Sequence, residues 1–421
     1  MLLIKNGRVI DPASRTDATL DVLLEGERIS RTGASLPAKD AEVFDATGMI
    51  VAPGFIDLHC HLREPGQELS ETIESGTLAA ARGGFTAVCP MPNTHPVNDN
   101  ASVTRYMVER AAAAGHVRVW PIGAASRESN GESLAEIMAM KEAGAVAVSD
   151  DGKPIATARL VRQVMDYCRS LDLPVVEHCE DPSLAAGGVM REGPRSIRLG
   201  LMGIPAASES ICVERDIEMS ALTGCRLHIA HMSARASLDH VRAAKRNGLP
   251  VTCEVTPHHF TLIDEDVVYD SRYKMNPPLG SREDREALLE GFADGSIDAI
   301  ATDHAPHHPA SKDVEFDRAP FGIIGFETAL SLALEQLFHS NRITLPRLVE
   351  LFTTGPARVL GRERSLAPGQ PADLTIFSPD HPWTFRAAES ASRSRNSPFD
   401  GREFRGAPMA TVVAGKIAYR R

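Results

Sequence analysis

Short apolar runs alternate with turn residues over the first fifty positions. LLIKNGRVID carries an Asn-Gly turn signal, DVLLEGERIS repeats a strand-turn-strand pattern, and AEVFDATGMIVAPG closes the set. The last fifty positions are alike, with β-rich PADLTIFSP and ATVVAGKIAYRR, so the two ends are expected to pair into one small β domain of residues 1–52 and 366–421. Between them the pattern changes. Eight apolar runs, GFIDLHCH, FTAVCPM, VRVWPIG, AVAVSDD, LPVVEHCE, RLHIAHMS, PVTCEVTPH and IDAIATDHA, alternate with segments of 3.6-residue period such as ATARLVRQVMDYCRSLD and SREDREALLEGFADG. Eight such βα units predict an α/β fold with a (β/α)8 TIM-like barrel over residues 53–365. An open doubly wound sheet is the runner-up, but it wants a Gly-rich phosphate turn after its first strand, where this chain has histidines. ASRSRNSPFDGREFRG, near the C-terminus, reads as a polar loop at most.

The composition changes this picture little. At 421 residues and 43% hydrophobic the chain can bury a large core, and its formal charge of −11 argues against nucleic acid or an anionic membrane as partner. With no long apolar span and no leader pattern at the N-terminus, a cytoplasmic protein is expected. The seven cysteines stand singly, without a CxxC pair, and read as small buried residues.

Metal-competent residues fall where the apolar runs stop: His59 and His61 after the first, Asp150 and Asp151 after the fourth, His178 after the fifth, His231 after the sixth and Asp303 after the eighth. In a barrel these ends converge on the face that carries active sites. Residues two apart on a strand share a side, so His59 and His61 can grip one ion while Cys60 turns away. Taken singly, any of these histidines is an ordinary buried hydrogen-bonding residue, and His228, His258, His259 and His304 are expected to be so. The joint spacing is what packing alone rarely produces. Four imidazoles and two carboxylates suit zinc before manganese or cobalt, and they are too many for one tetrahedral ion. The expectation is two Zn2+ ions, one on His59, His61 and Asp303, the other on His178 and His231, bridged by Asp151 and a hydroxide. Asp303 gains a second task as general base and then general acid toward a leaving nitrogen.

HLREPG at 61–66, PMPNT at 90–94, SDDGKP at 149–154, VTPHHF, KMNPPLG at 274–280, TDHAPH at 302–307 and APFGIIGFET at 319–328 together resemble the bacterial class I dihydroorotases of the amidohydrolase superfamily. The resemblance runs from LLIKNGRVIDP to PADLTIF, practically the whole chain. HxH and TDHAP indicate only the superfamily, which also holds hydantoinases, allantoinases and deaminases; HLREPG with PNT and MNPPLG is more specific.

The resemblance implies a metal-dependent cyclic amide hydrolase of pyrimidine biosynthesis, closing N-carbamoyl-L-aspartate to dihydroorotate with loss of water. An acidic protein with an anionic substrate needs local cations, and Arg63 offers a planar fork for a carboxylate. By the same likeness Asn93 and His307 contact that carboxylate, and Asn276 with the backbone of Pro320, Phe321 and Gly322 binds the ring amide. Asp151 resembles the aspartate that replaces a bridging carboxylated lysine in this branch; Lys153 is the alternative bridge. The loop at 307–322 is a candidate lid. A homodimer and an association with aspartate transcarbamoylase are further expectations. Two other readings stay open: another cyclic-amide hydrolase of the hydantoinase or allantoinase kind, and a noncatalytic partner of aspartate transcarbamoylase.

Overall fold

The computed structural model describes residues 1–38 and 40–421. The barrel strands are Phe55–Cys60, Phe85–Pro90, a third in two pieces (Arg118–Val119 and Ile122–Ala124), Ala147–Ser149, Val175–Glu177, Leu227–Ile229, Val251–Val255 and Ala299–Ile300. Successive strands pair in parallel. The ring closes where the His61 amide donates to the His304 carbonyl at 2.8 Å. The third strand is interrupted at Pro121, which has no N–H for the ladder and offers only its carbonyl, to the Val146 amide. Small side chains fill the ring, among them Ala87, Cys89, Ala147, Ala230, Ala299 and Ala301 beside Ile56, Leu58 and Val176. A larger cluster that includes Phe85, Val164, Leu238 and Phe292 seals the strands to the outer helices.

A second sheet takes strands from both chain ends, in the order Lys416–Arg420, Glu403–Val413, Leu374–Thr384, Ile50–Pro53, Leu2–Asp11, Thr16–Glu25 and Arg28–Gly33, with Glu42–Asp45 against Leu2–Asp11. The ends meet where Leu374–Thr384 runs antiparallel to Ile50–Pro53, over a core that includes Ile4, Val22, Val51, Ile376 and Val412.

Two expectations fail here. Asn6-Gly7 makes no hairpin turn: Leu2–Asp11 is one strand whose register to its neighbour slips between Ile4 and Gly7. Asn6 takes φ 61° there, and a Cβ on Gly7 would lie 2.4 Å from Val51 Cγ2, so the pair makes a close approach between strands. The polar stretch 391–406 is also more than a loop. It passes over the barrel, where Ser394 Oγ donates to the Ser70 carbonyl, before entering strand Glu403–Val413. Among the described residues no helix is long and apolar enough to cross a membrane.

Candidate active site

The residues expected as metal ligands converge at the C-terminal ends of the barrel strands. His59 Nε2 lies 3.3 Å from Asp151 Oδ1 and 3.7 Å from Asp303 Oδ1; His61 Nε2 lies 3.0 Å from Asp303 Oδ1. His178 Nδ1 and His231 Nε2 approach to 3.0 Å, each facing Asp151 Oδ1, at 3.6 and 3.4 Å. Two groups, His59 with His61 and Asp151, and Asp151 with His178 and His231, each bring their ligand atoms within 4.8 Å of one another, with Asp151 common to both. Strict alternation along the first strand does not deliver this. Ile56 and Leu58 pack inside the ring while Cys60 joins the outer cluster, and the register to the neighbouring strand slips between Asp57 and Cys60. That slip turns both histidines to the common centre.

These residues fit a divalent cation. His59 is wholly buried, and neither of its nitrogens has a hydrogen-bond partner although both face carboxylates. Buried imidazoles and carboxylates left in that state are costly without a positive centre, and the nitrogen and oxygen donors suit zinc-like ions. Burial works against charge here, yet the cluster's own attractions outweigh it. Asp151 is held well below the ordinary carboxylate range by His59, His178 and His231, and Asp303 is held low by His61, His59 and His231. Burial alone would lower His59, but Asp151, Glu254 and Asp303 raise it well above the usual histidine value. His231 stays low through burial.

Around these ligands lies a cavity of about 210 Å³, lined further by Arg63, Asn93, Asn276, His307, Phe321 and Gly322. The Arg63 side chain donates from Nε to the Pro306 carbonyl at 3.1 Å, and Nη2 lies 3.5 Å from His307 Nε2. Burial lowers Arg63 to about 10, still well above neutrality, so the guanidinium keeps its charge. Burial, then Arg63 and Lys312, lower His307 to about 3; its neutral ring donates from Nε2 to the Phe321 carbonyl at 2.7 Å. His61 Nδ1 donates to Asn93 Oδ1 at 2.9 Å, which leaves Nε2 as a lone-pair donor toward the ligand cluster. Asn276 donates to Glu180 Oε2 at 3.0 Å, and its own Oδ1 is buried without a partner. Arg63, His231 and Asp303 hold positive φ, at 60, 31 and 45°. Each such departure costs about 1–3 kcal/mol, a strain that concentrates at functional sites.

Not every expected residue is in the cavity wall. Pro320 does not line it; its carbonyl accepts from Lys312 Nζ at 2.8 Å. Asp150 turns to the backbone amides of Ala125 and Ser126, and Lys153 is exposed while Asp151 is buried among the histidines, which removes Lys153 as a bridge. His228, His259 and His304 have local hydrogen-bond partners, as ordinary core histidines do, whereas His258, expected to be another, is buried with its Nε2 unpartnered. Cys179, Cys212 and Asp216 form another compact donor group, but Arg215 already supplies its positive charge, from Nε to Asp216 at 2.7 Å and from Nη2 to Cys212 Sγ at 3.2 Å. A larger cavity of about 500 Å³, lined by Arg118, Trp120 and Asp373 among others, belongs to the junction with the second sheet.

Three residues escaped the sequence reading. Glu254, wholly buried, faces His59 Nδ1 at 3.3 Å and His228 Nε2 at 3.1 Å; burial opposes its charge, but these two histidines bring it down to about 2. It faces the His59 nitrogen turned away from the cluster, the position from which a carboxylate orients a metal-binding imidazole, and its only signal was a carboxylate inside apolar VTCEV. Asn396 donates to the Ala305 and Gly322 carbonyls at 3.0 Å each and accepts from the His307 amide. Lys312, buried, gave no signal beyond its place in a polar loop.

Comparison with known proteins bears on what this cavity serves. A family profile described as Dihydro-orotase-like matches residues 48–237. The dihydroorotase of Solibacter usitatus is 58% identical over 422 residues, covering 100% of this chain and 98% of that protein. That of Syntrophotalea carbinolica is 49% identical, covering 100% and 99%. Among solved structures, L-hydantoinase (dihydropyrimidinase) from Arthrobacter aurescens superposes with a TM-score of 0.87 at 25% identity, covering 99% of this chain and 95% of that one. Dihydropyrimidinase from Brevibacillus agri NCHU1002, at 23% identity and a TM-score of 0.87, shows the shared fold. With 58% and 49% identity over matches that cover the whole of it, the chain belongs to the dihydroorotase family.

Proposed function

We propose that this protein closes N-carbamoyl-L-aspartate to (S)-dihydroorotate with loss of water, and reopens the ring, with Asp303 carrying the proton. The observation that carries the reading is Arg63: a buried, charged guanidinium in the same small cavity as the imidazole and carboxylate cluster. A ring bearing a carboxylate needs such a fork, whereas a neutral hydantoin does not.

His59, His61 and Asp303 on one side and His178 and His231 on the other would hold two zinc ions with Asp151 between them. Such ions act as Lewis acids toward a carbonyl and toward water. The rest is the work of the side chains. In ring opening, Asp303, ionised and beside His61, takes the proton of the water that adds to the ring carbonyl carbon, then returns it to the ring nitrogen as the C–N bond breaks. Ring closure runs the same transfers backwards. Arg63 with Asn93 and His307 anchors the carboxylate, and Asn276 with the Phe321 and Gly322 backbone meets the ring amide. A homodimer, and association with aspartate transcarbamoylase, belong to the same reading and are testable by co-elution of the purified proteins.

The test is hydrolysis of dihydroorotate by the zinc-loaded protein, with hydantoin and allantoin in parallel and metal content measured on the same sample. Turnover of dihydroorotate alone, with about two metals per chain, is the expected result. Turnover of hydantoin or allantoin alone would overturn the substrate assignment, and metal-free, inactive protein would overturn the enzyme.

A further inference from the structure

The segment bearing Phe321 and Gly322 is held by an unusual fastening. Lys312, only 7% exposed, donates from Nζ to the carbonyls of Ser271 at 2.9 Å and Pro320 at 2.8 Å, and lies 3.3 Å from that of Lys274. The Lys274 carbonyl in turn accepts from the Gly322 amide at 2.9 Å. Lys274 Nζ reaches across the other way, to the Asp317 carbonyl at 2.9 Å, with the Phe321 ring 4.6 Å away. Residues 271–274 lead directly into Asn276, so these contacts join the two segments that face the ring amide.

We propose that Lys312 is a positioning residue for the substrate: its amino group clasps the 320–322 strap to the 271–274 segment and so sets Phe321 and Gly322 opposite Asn276. A methionine would fill the same volume without desolvating an amine, a substitution that burial alone would favour. What the amine supplies is the pair of bonds between segments distant in sequence. The functional part of this inference rests on the reading of the cavity given above.

The clasp is linked to a proton. Burial, and after it Lys274, bring the amine down to about 7, with Asp270 acting in the opposite direction; these and the neutral His307 are the titratable groups that face it. An opened strap returns the amine to water and to an ordinary lysine value near 10.5. Opening therefore takes up a proton, and the closed strap gains as pH rises through about 7.

Hydrogen exchange on the full-length, zinc-loaded protein tests this. In Lys312→Met, exchange of the amides in 319–323 should rise about tenfold, the equivalent of one lost hydrogen bond. KM for dihydroorotate should rise by a similar factor while kcat and metal content stay near wild type. In the wild type, strap exchange corrected for its intrinsic rate should slow as pH goes from about 6 to about 8, and in the variant it should not. Unchanged strap exchange in Lys312→Met overturns the proposal. Corrected exchange that is flat with pH in the wild type overturns it too, a result that needs no variant to fold. A wild type that fails to turn over dihydroorotate would overturn the function proposed above, while strap exchange would still decide the role of Lys312.

Discussion

The two walls of the cavity are built on different principles. One is made of side chains at the ends of barrel strands, His59, His61, Asp151, His178, His231 and Asp303, whose polar atoms face one another. The other comes from connecting segments: Arg63, His307 and Gly322 donate to backbone carbonyls, and Phe321 supplies the carbonyl that His307 uses. The first wall wants a cation to complete it; the second is satisfied by its own frame and keeps a charge to spare. On the function proposed above, chemistry sits on the rigid ring, where small displacements would be costly, and substrate recognition on segments that can be re-fastened.

The contrast can be broken most severely at Asp303. Asp303→Ala should lower dihydroorotate hydrolysis by about 10⁴-fold, the upper range for a general acid-base group, with the circular dichroism spectrum unchanged; near-normal turnover would remove its proton role. Metal removal by a chelator should abolish turnover of the wild type and zinc should restore it. Variants of the recognition wall should retain their metal, by elemental analysis, which separates the two walls directly. Arg63→Ala should lower kcat/KM by about 100-fold or more, mostly through KM, as expected when a desolvated charge pair loses one partner. An unchanged value would refute the anchoring role. Asn396→Ala should cost about 1–3 kcal/mol of stability through the unsatisfied buried groups it leaves, read as a lower denaturation midpoint. It should also raise KM, since it frees the His307 amide and the Gly322 carbonyl together.

The last test is the pH dependence of stability, read as a slope. Lys312 falls from an ordinary 10.5 to about 7 in the folded protein. Between those values the unfolded chain binds more protons than the folded one, so stability rises with pH across that window, and below about 7 the group's full penalty is in place and no longer changes. The slope of unfolding free energy against pH in that window should be steeper in the wild type than in Lys312→Met, by at most about 1.4 kcal/mol per pH unit. Parallel slopes would show that the amine is not proton-linked to folding.

Much of the ring was legible beforehand because apolar runs and helical periods are local signals, and eight repeats of one unit admit few architectures. The candidate ligands were legible for a related reason. A barrel brings strand ends together, so a histidine closing a strand acquires neighbours that the linear chain implies. Glu254 was not, since a single carboxylate within an apolar strand reads the same whether it faces an imidazole or marks an exposed edge. Asn6-Gly7 misled because a turn signal and a close inter-strand approach draw on the same left-handed backbone.

The sequence by itself determined which chemical groups the site holds and that they meet at one end of a barrel. It did so because periodicity and strand-end position are properties of neighbouring residues. The tertiary structure alone decided how those groups are aimed. The slip between Asp57 and Cys60 turns both histidines of the first strand inward, Asn396 arrives from about ninety positions downstream to hold His307 and Gly322, and Lys312 pairs with carbonyls some forty residues upstream. Such contacts depend on where distant segments come to rest, and no local pattern of apolar and polar residues encodes that.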